Sequence, residues 1–150
     1  MPTRAKITCN DDKELRMILD AIYETKTQLQ LAKYSLLLAH HILEITAIPI
    51  NEVIMQGFFL NEQWQNKQAR VHDVRVVGFQ IHELAKKARD PLIQAVYRVV
   101  GHAVSSAHRI EHAMVASDYA ILVMNALYPN DQLAVEKERQ FQIHLMEQIS

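Results

Sequence analysis

The hydrophobic residues of this chain recur every three or four positions, and short polar segments separate the stretches in which they do so. Such spacing places side chains on one face of an α-helix. In the first stretch it connects Leu15, Ile18, Leu19 and Ile22. Asn10 or Asp11 before it can accept hydrogen bonds from the free amides of a first helical turn. The pattern predicts a helix from about residue 11 to residue 24.

A second helix is predicted to begin after a break at Thr25–Thr27 and to extend to about Ile45. Its expected buried face comprises Leu29, Ala32, Leu36, Ala39 and Leu43. Pro49 then interrupts the pattern, because a proline restricts the residue before it to extended geometry. Asn51 can cap the next helix, the third, which is predicted from Glu52 to about Gln63.

The segment from residue 69 to residue 89 fits two interpretations. Its β-branched residues, concentrated between Val74 and Phe79, are typical of a strand. Helical spacing nevertheless connects Val74, Gly78, Ile81, Ala85 and Ala88. Because a lone strand would have no partner elsewhere in the chain, we predict a helix from about Ala69 to Arg89.

The clearest helix boundary in the sequence is Asp90-Pro91, which suits a helix N-cap followed by a proline at the first helical position. The helical pattern then continues to Leu127, and its apolar stripe comprises Ala103, Ala107, Ile110, Met114 and Ile121. A single helix of that length would be long for a small domain. We therefore expect it to split or kink between Ser105 and His108.

A last helix is predicted from about Gln132 to Gln148, after the stop formed by Tyr128-Pro129-Asn130-Asp131. The chain has 3 glycines and 4 prolines, whereas average usage would give about 10 and about 7, and this shortage of turn formers favours long helices. No internal repeat or domain boundary interrupts residues 1–150. The predicted fold is an all-α, single-domain bundle of six or seven helices, with residues 1–10 flexible.

Composition and charge narrow the classes of partner and compartment. The 16 Lys and Arg against 17 Asp and Glu give a net charge of −1, which argues against a general nucleic-acid binder. The single cysteine, Cys9, excludes an internal disulfide and a Cys-rich zinc site. The first residues lack the apolar core of a signal peptide, and no apolar run approaches the roughly 18 residues that span a bilayer. We expect a cytoplasmic protein with neither a nucleic-acid nor a membrane partner.

Eight histidines are many for this length, and they are densest between Gly101 and His112. His108 and His112 are four residues apart, so on a helix they would lie on one face and could hold one metal ion. The string from His108 to His112 also matches the His-x-x-Glu-His pattern of inverted zinc peptidases, in which Glu111 would be the general base. Together with His102, these residues are the candidate metal ligands.

A packing role is the other interpretation of these histidines, and the one we favour. A catalytic zinc site needs a third protein ligand and an open position for water, and no further carboxylate stands out downstream. His102, Ser105 and Arg109 share a helix face at spacings of three and four residues, which suits hydrogen bonds between helices. We therefore assign no catalytic residue, no metal site and no cofactor.

An aromatic segment is the candidate for a partner-binding surface. Phe58 and Phe59 lie within the apolar run from Gly57 to Leu60, and Trp64 lies one helical turn later. Aromatic side chains dominate the energetics of many protein interfaces, although such residues also form cores. If Phe58, Phe59 and Trp64 leave an apolar surface, we also expect a homodimer.

Three segments of the chain resemble one known protein family. The most specific, from Asp90 to Ala113, contains Asp-Pro, Gly-His-Ala-Val, Ala-His and His-Ala in the order of that family. Residues 39–44 resemble its Ala-Glu-His-Val-Leu segment, and residues 138–142 resemble its C-terminal Glu-Arg-x-Trp-Gln, with Phe141 in place of Trp. The family is the immunity-five-like group of immunity proteins from bacterial polymorphic-toxin systems.

This resemblance implies an all-helical cytosolic protein that binds a cognate protein toxin and blocks it by occlusion, with no catalysis of its own. The alternative is a small metal-binding or metal-dependent helical protein that uses His102, His108 and His112. Elemental analysis of untagged protein separates the two hypotheses, because only the second requires a bound transition metal.

Overall fold

The computed structural model describes residues 2–150, which form seven α-helices and no β-strand. The helices are α1 (Lys13–Tyr23), α2 (Gln28–Thr46), α3 (Glu52–Gln65), α4 (Val71–Lys87), α5 (Pro91–Ser105), α6 (His112–Leu127) and α7 (Gln132–Gln148). The predicted all-α, single-domain bundle is confirmed, as is the helical interpretation of residues 69–89. None of these seven helices combines the length and the apolar character needed to cross a membrane. Met1, the first residue of the segment predicted to be flexible, lies outside the described residues.

Short polar side chains set the helix starts. Asn51 and Asp90 cap α3 and α5 as predicted, each through a side-chain oxygen that accepts a hydrogen bond from a first-turn amide. The predicted N-cap of α1 is wrong, because Asp12 and not Asn10 or Asp11 accepts the hydrogen bond of the first turn. The carboxylate of Asp11 instead binds an arginine of α7.

The long helical pattern of residues 91–127 divides, as predicted, close to Ser105. α5 ends at Ser105. The carbonyl of Ser105 accepts hydrogen bonds from the amides of two turn residues, His108 and Arg109, at 2.8 and 3.2 Å. The continuous apolar stripe expected across this position is wrong, because Ile110 lies in the turn and is 39% exposed. The turn reverses the chain, so α5 and α6 pack against each other.

The core lies around α2 and α6. Helices α3, α5, α6 and α7 all pack against α2, and most residues of α6 are buried. The predicted α2 face is buried except for Leu29, which is 41% exposed. Leu29 lies one and two turns before Lys33 and Leu37, which are exposed as well, so it belongs to the solvent side of the helix.

Helix α1 departs further from its predicted face. Leu19 is buried, but Ile18 is 49% exposed, and the charged residues Arg16 and Asp20 are buried instead. Burial of charged groups is costly unless they are paired and hydrogen-bonded. Arg16 meets this condition, because its Nε donates to Asp118 Oδ1 on α6 at 2.9 Å.

Helices α4 and α5 cross closely at two glycines. A Cβ built on Gly78 would lie 2.6 Å from Ser105 Oγ, and one built on Gly101 would lie 2.7 Å from Cε1 of the His82 ring. Neither position leaves room for a side chain without a shift of its neighbour. The two glycines therefore permit the short separation of these helices.

Replacement of Gly101 by leucine should destabilise the fold by about 1–3 kcal/mol, because the added side chain overpacks the crossing of α4 and α5. Urea denaturation of the full chain measures this loss. Gln140→Leu, at an exposed position of α7, is the matched control and should change the stability by less than about 0.5 kcal/mol. An unchanged denaturation midpoint for Gly101→Leu would contradict close packing at the crossing.

Candidate functional site

Three histidines from three helices form a cluster, which we call the histidine cluster. They are His82 of α4, His102 of α5 and His112 at the start of α6. The ring centroids of His82 and His102 lie 4.5 Å apart, and those of His102 and His112 lie 5.1 Å apart. The Nδ1 atoms of His102 and His112 are separated by 2.8 Å, which is a hydrogen-bond distance.

The predicted pairing of His108 with His112 on one helix face is wrong. His108 lies in the turn before α6, and its ring centroid is 6.3 Å from that of His112, with an interplanar angle of 88°. Residues four positions apart lie on one face only within a continuous helix. The turn before α6 interrupts the helix between His108 and His112. His102 takes the place beside His112 because α5 and α6 pack together.

His82 is the member of the cluster that sequence reasoning missed. No local spacing connects it to His102, and the one available signal is Gly101, since a helical glycine leaves space for a group from a neighbouring helix. The Arg98 Nη1 lies 2.8 Å from Nδ1 of His82. Because a guanidinium only donates hydrogen bonds, this Nδ1 is the acceptor and the ring proton of His82 is on Nε2.

The histidine cluster is uncharged at neutral pH. Burial, reinforced by the positive charge of Arg98, lowers the pKa of His82 to about 4. Burial, with His82 and His112 as neighbours, lowers the pKa of His102 to about 2, and burial also lowers the pKa of His112. Between His102 and His112, one Nδ1 therefore carries a proton that the other accepts.

The candidate metal ligands do not come together as a complete site. Across residues 2–150, no group of three or more His, Cys, Asp or Glu side chains is placed to hold an ion. His102 and His112 are engaged with each other, and His108 lies apart from the cluster. Glu111 is exposed, and its Oε2 lies 3.9 Å from Nε of Arg109. Metal binding by these four candidates stays the alternative hypothesis.

Two adjoining clefts open beside the histidine cluster. The first has a volume of about 420 Å³ and is lined by Lys6, His102, Arg109, Glu111, His112, Val115 and Tyr119. The second, of about 540 Å³, is formed by residues of α5 and α6 that include Arg98. Tyr119 lines both clefts. We therefore describe them together as the α5–α6 groove.

The aromatic interface candidates separate into buried and exposed residues. Phe58 is only 6% exposed, and its ring centroid lies 4.3 Å from that of His40. It belongs to the core, which removes it from a partner-binding surface. Trp64 is partly buried and packs against the core. Phe59 is 52% exposed and is the one of the three that still offers an open aromatic face.

A buried group of charged residues joins α1, α6 and α7. Arg139 has no exposed surface, and its Nη2 donates to Asp11 and to Asp118, in both cases at 2.7 Å. Arg16 donates to the same Asp118 carboxylate. We call Asp11, Arg16, Asp118 and Arg139 the arginine network. Its role in this arrangement is to tie three helices and the N-terminal segment together.

Two of the segments that resemble the immunity family meet beside this network. In residues 39–44, Nε2 of His41 lies 2.7 Å from Oε1 of Glu138, the first residue of the segment 138–142. In that second segment, Nη1 of Arg139 donates to Oε1 of Gln142 at 2.8 Å. These residues therefore connect α2 with α7 and organise the interior of the bundle.

The fold and these sites define a small all-α protein with an uncharged histidine cluster beside an open groove. The model of the family described as Imm-5 like putative immunity protein matches residues 21–149. The chain belongs to this family, which confirms the resemblance seen in the sequence. Searches of curated proteins and of solved structures found no match.

Proposed function

We propose that the protein binds a cognate bacterial toxin and neutralises it by occlusion, without catalysing a reaction. The observation that carries this proposal is membership in a family of immunity proteins, across residues 21–149. In the proposed mechanism, a rigid helical surface covers the active site or the substrate path of the toxin and keeps its substrate out.

The size and construction of the bundle support this proposal. A standard protein interface takes about 800 Å² from each partner, which is about a tenth of the 8235 Å² that the described chain exposes. The arginine network and the close crossing of α4 and α5 fix the helices relative to one another. A surface that is already ordered loses less conformational entropy on binding, and this favours affinity.

The histidine cluster serves as a packing element in this proposal. Its rings are partly buried and hydrogen-bonded, to each other or to Arg98. A general acid or base works best when its pKa lies near the operating pH, whereas the pKa values of His82 and His102 are lowered to about 4 and about 2. We also propose a cytoplasmic location. The homodimer stays a prediction, which was based on an apolar surface formed by Phe58, Phe59 and Trp64.

Expression of the candidate toxin, the product of the adjacent gene, with and without this protein tests the proposal. Co-expression should restore growth, and a pull-down should recover a complex of the two chains. Toxin that is separated from the complex and refolded should have its original mass and activity, because occlusion leaves it chemically unchanged. A covalently altered toxin would show enzymatic action instead. Failure to bind and protect would overturn the immunity role.

A further inference from the structure

The α5–α6 groove is lined by charges of predominantly one sign. Lys6, Arg98 and Arg109 line it, whereas Glu111 is the one carboxylate among the described lining residues. Within residues 2–150, neither Lys6 nor Arg98 forms an ion pair with a carboxylate. Arg109 contacts Glu111 only at 3.9 Å, between exposed side chains. Lys6 and Arg98 therefore give the groove positive charge that no ion pair among the described residues neutralises, although the net charge of the chain is −1.

The groove also holds one of these cations in a defined position. The Arg98 guanidinium is hydrogen-bonded to Nδ1 of His82, a neutral acceptor, so its charge is oriented without being compensated. Next to it, the ring of Tyr119 stacks against His102 with a centroid separation of 5.4 Å and an angle of 13°. This stacking places an aromatic side chain with a hydroxyl group where the two clefts meet.

We propose that the α5–α6 groove receives an acidic segment of the cognate toxin, whose carboxylates pair with Lys6, Arg98 and Arg109. This inference rests on the proposed function and assigns its binding face. A guanidinium can donate two parallel hydrogen bonds to one carboxylate, which adds geometric specificity to the attraction. Complementary charge also accelerates the encounter of protein partners and selects against wrong ones. A nucleic acid is disfavoured as the occupant because the protein as a whole is not basic.

Charge reversal at the rim of the groove tests this assignment. The variant Lys6→Glu/Arg109→Glu alters two exposed residues and should weaken binding to the toxin by about tenfold or more, mainly through slower association. The control Lys13→Glu/Lys33→Glu makes the same charge change at exposed positions outside the groove, and it should bind within about twofold of the unchanged chain. If Lys6→Glu/Arg109→Glu binds the toxin as tightly as the control and the unchanged chain do, the groove assignment is overturned while toxin binding stays intact.

A second measurement examines the groove without the toxin. Hexaglutamate peptide, titrated into the full labelled chain, should shift the amide NMR signals of Arg98, His102, Arg109, His112 and Tyr119. Hexaglutamine peptide should not shift them, because it lacks the charge. Absence of these shifts, shifts confined to another face, or a response to oligothymidylate alone would overturn the inference. If the peptide binds here but the adjacent toxin does not bind the protein, the proposed function fails and the acidic-ligand site stands.

Discussion

Replacement of Arg139 by methionine should lower the free energy of unfolding by about 3–5 kcal/mol, because it removes one partner from a buried ion network. Arg139 is fully buried, and its Nε and Nη2 donate to the two carboxylate oxygens of Asp11 at 2.9 and 2.7 Å. The same Nη2 donates to Asp118, which is 1% exposed. The methionine side chain occupies much of the volume of the aliphatic part of arginine, but it offers neither carboxylate a hydrogen-bond donor or a positive charge.

The charge of Arg139 is an essential part of this effect. Burial alone would lower the pKa of Arg139, but the hydrogen bond and charge of Asp11, together with Asp118, outweigh burial and raise that pKa. In the variant, Arg16 alone would face the carboxylates of Asp20 and Asp118. Asp11 would lose its arginine altogether. An uncompensated buried carboxylate is costly, and solvent salt screens it poorly.

Urea denaturation of the full chain measures this loss, and two further variants identify its cause. Lys137→Met removes a positive charge from an exposed position of the same helix and should change the stability by less than about 0.5 kcal/mol. Arg139→Lys keeps the charge but loses the contact in which two hydrogen bonds join the guanidinium to Asp11. Its loss of stability should therefore lie between those of Arg139→Met and Lys137→Met. A loss below about 1 kcal/mol for Arg139→Met would show that the network contributes little to stability.

Several helix boundaries could be predicted from the sequence because their signals are local. Asp90 and Pro91 are adjacent in the chain, and Asn51 directly precedes the helix that it caps. The last helix, Gln132–Gln148, matches its prediction at both ends. Each of these features depends on hydrogen bonds within a single turn, which the order of residue types already determines.

The arginine network could not be predicted, because only the tertiary fold brings its members together. Arg16 and Asp118 are 102 residues apart, and Asp11 and Arg139 are 128 residues apart. Arg16 also occupies a core-facing position of α1, where helical periodicity predicts an apolar side chain. Its pairing with Asp118 makes that burial acceptable, and nothing near Arg16 in the sequence reveals the partner.

The histidine cluster could be predicted in part. The density of histidines drew attention to His102 and His112, and both are members. Helical spacing then selected His108 as the partner of His112, because the predicted break between Ser105 and His108 left both histidines on one helix, whereas α6 begins only at His112. His82 enters from α4 through the close crossing at Gly101, and a contact between helices of this kind leaves no periodic signal.

The free energy of unfolding should fall by about 2–4 kcal/mol when the pH is lowered from about 7.5 to about 5, because of the histidine cluster. Burial, with Arg98 nearby, lowers the pKa of His82 to about 4, and burial beside His82 and His112 lowers the pKa of His102 to about 2. A histidine in an unfolded chain has a pKa of about 6.5. Acidification below this value protonates the unfolded chain before the folded one, so stability is lost as the pH falls.

The groups that surround the cluster reinforce this direction. Arg98 and Lys86 oppose the protonation of His82, whereas Lys6 and Arg109 oppose that of His112. Among these neighbouring charges, only Glu111 favours the protonation of His112, because its negative charge raises the pKa of that ring. At pH 5 each strongly shifted imidazole contributes about 2 kcal/mol to the loss, since one pKa unit corresponds to about 1.4 kcal/mol. The lower end of the expected range allows for the partial exposure of these rings.

Urea denaturation of the full chain at a series of pH values measures this dependence. His102→Gln should lose less stability than the unchanged chain on acidification, because it removes one of the two strongly shifted groups. His144→Gln, at an exposed position of α7, should keep the original pH dependence. In NMR spectra of the folded chain, the ring signals of His82 and His102 should not titrate between about pH 7.5 and about pH 5.5. Titration of both rings in that interval, with stability constant across it, would show that the folded bundle accepts these protons without cost.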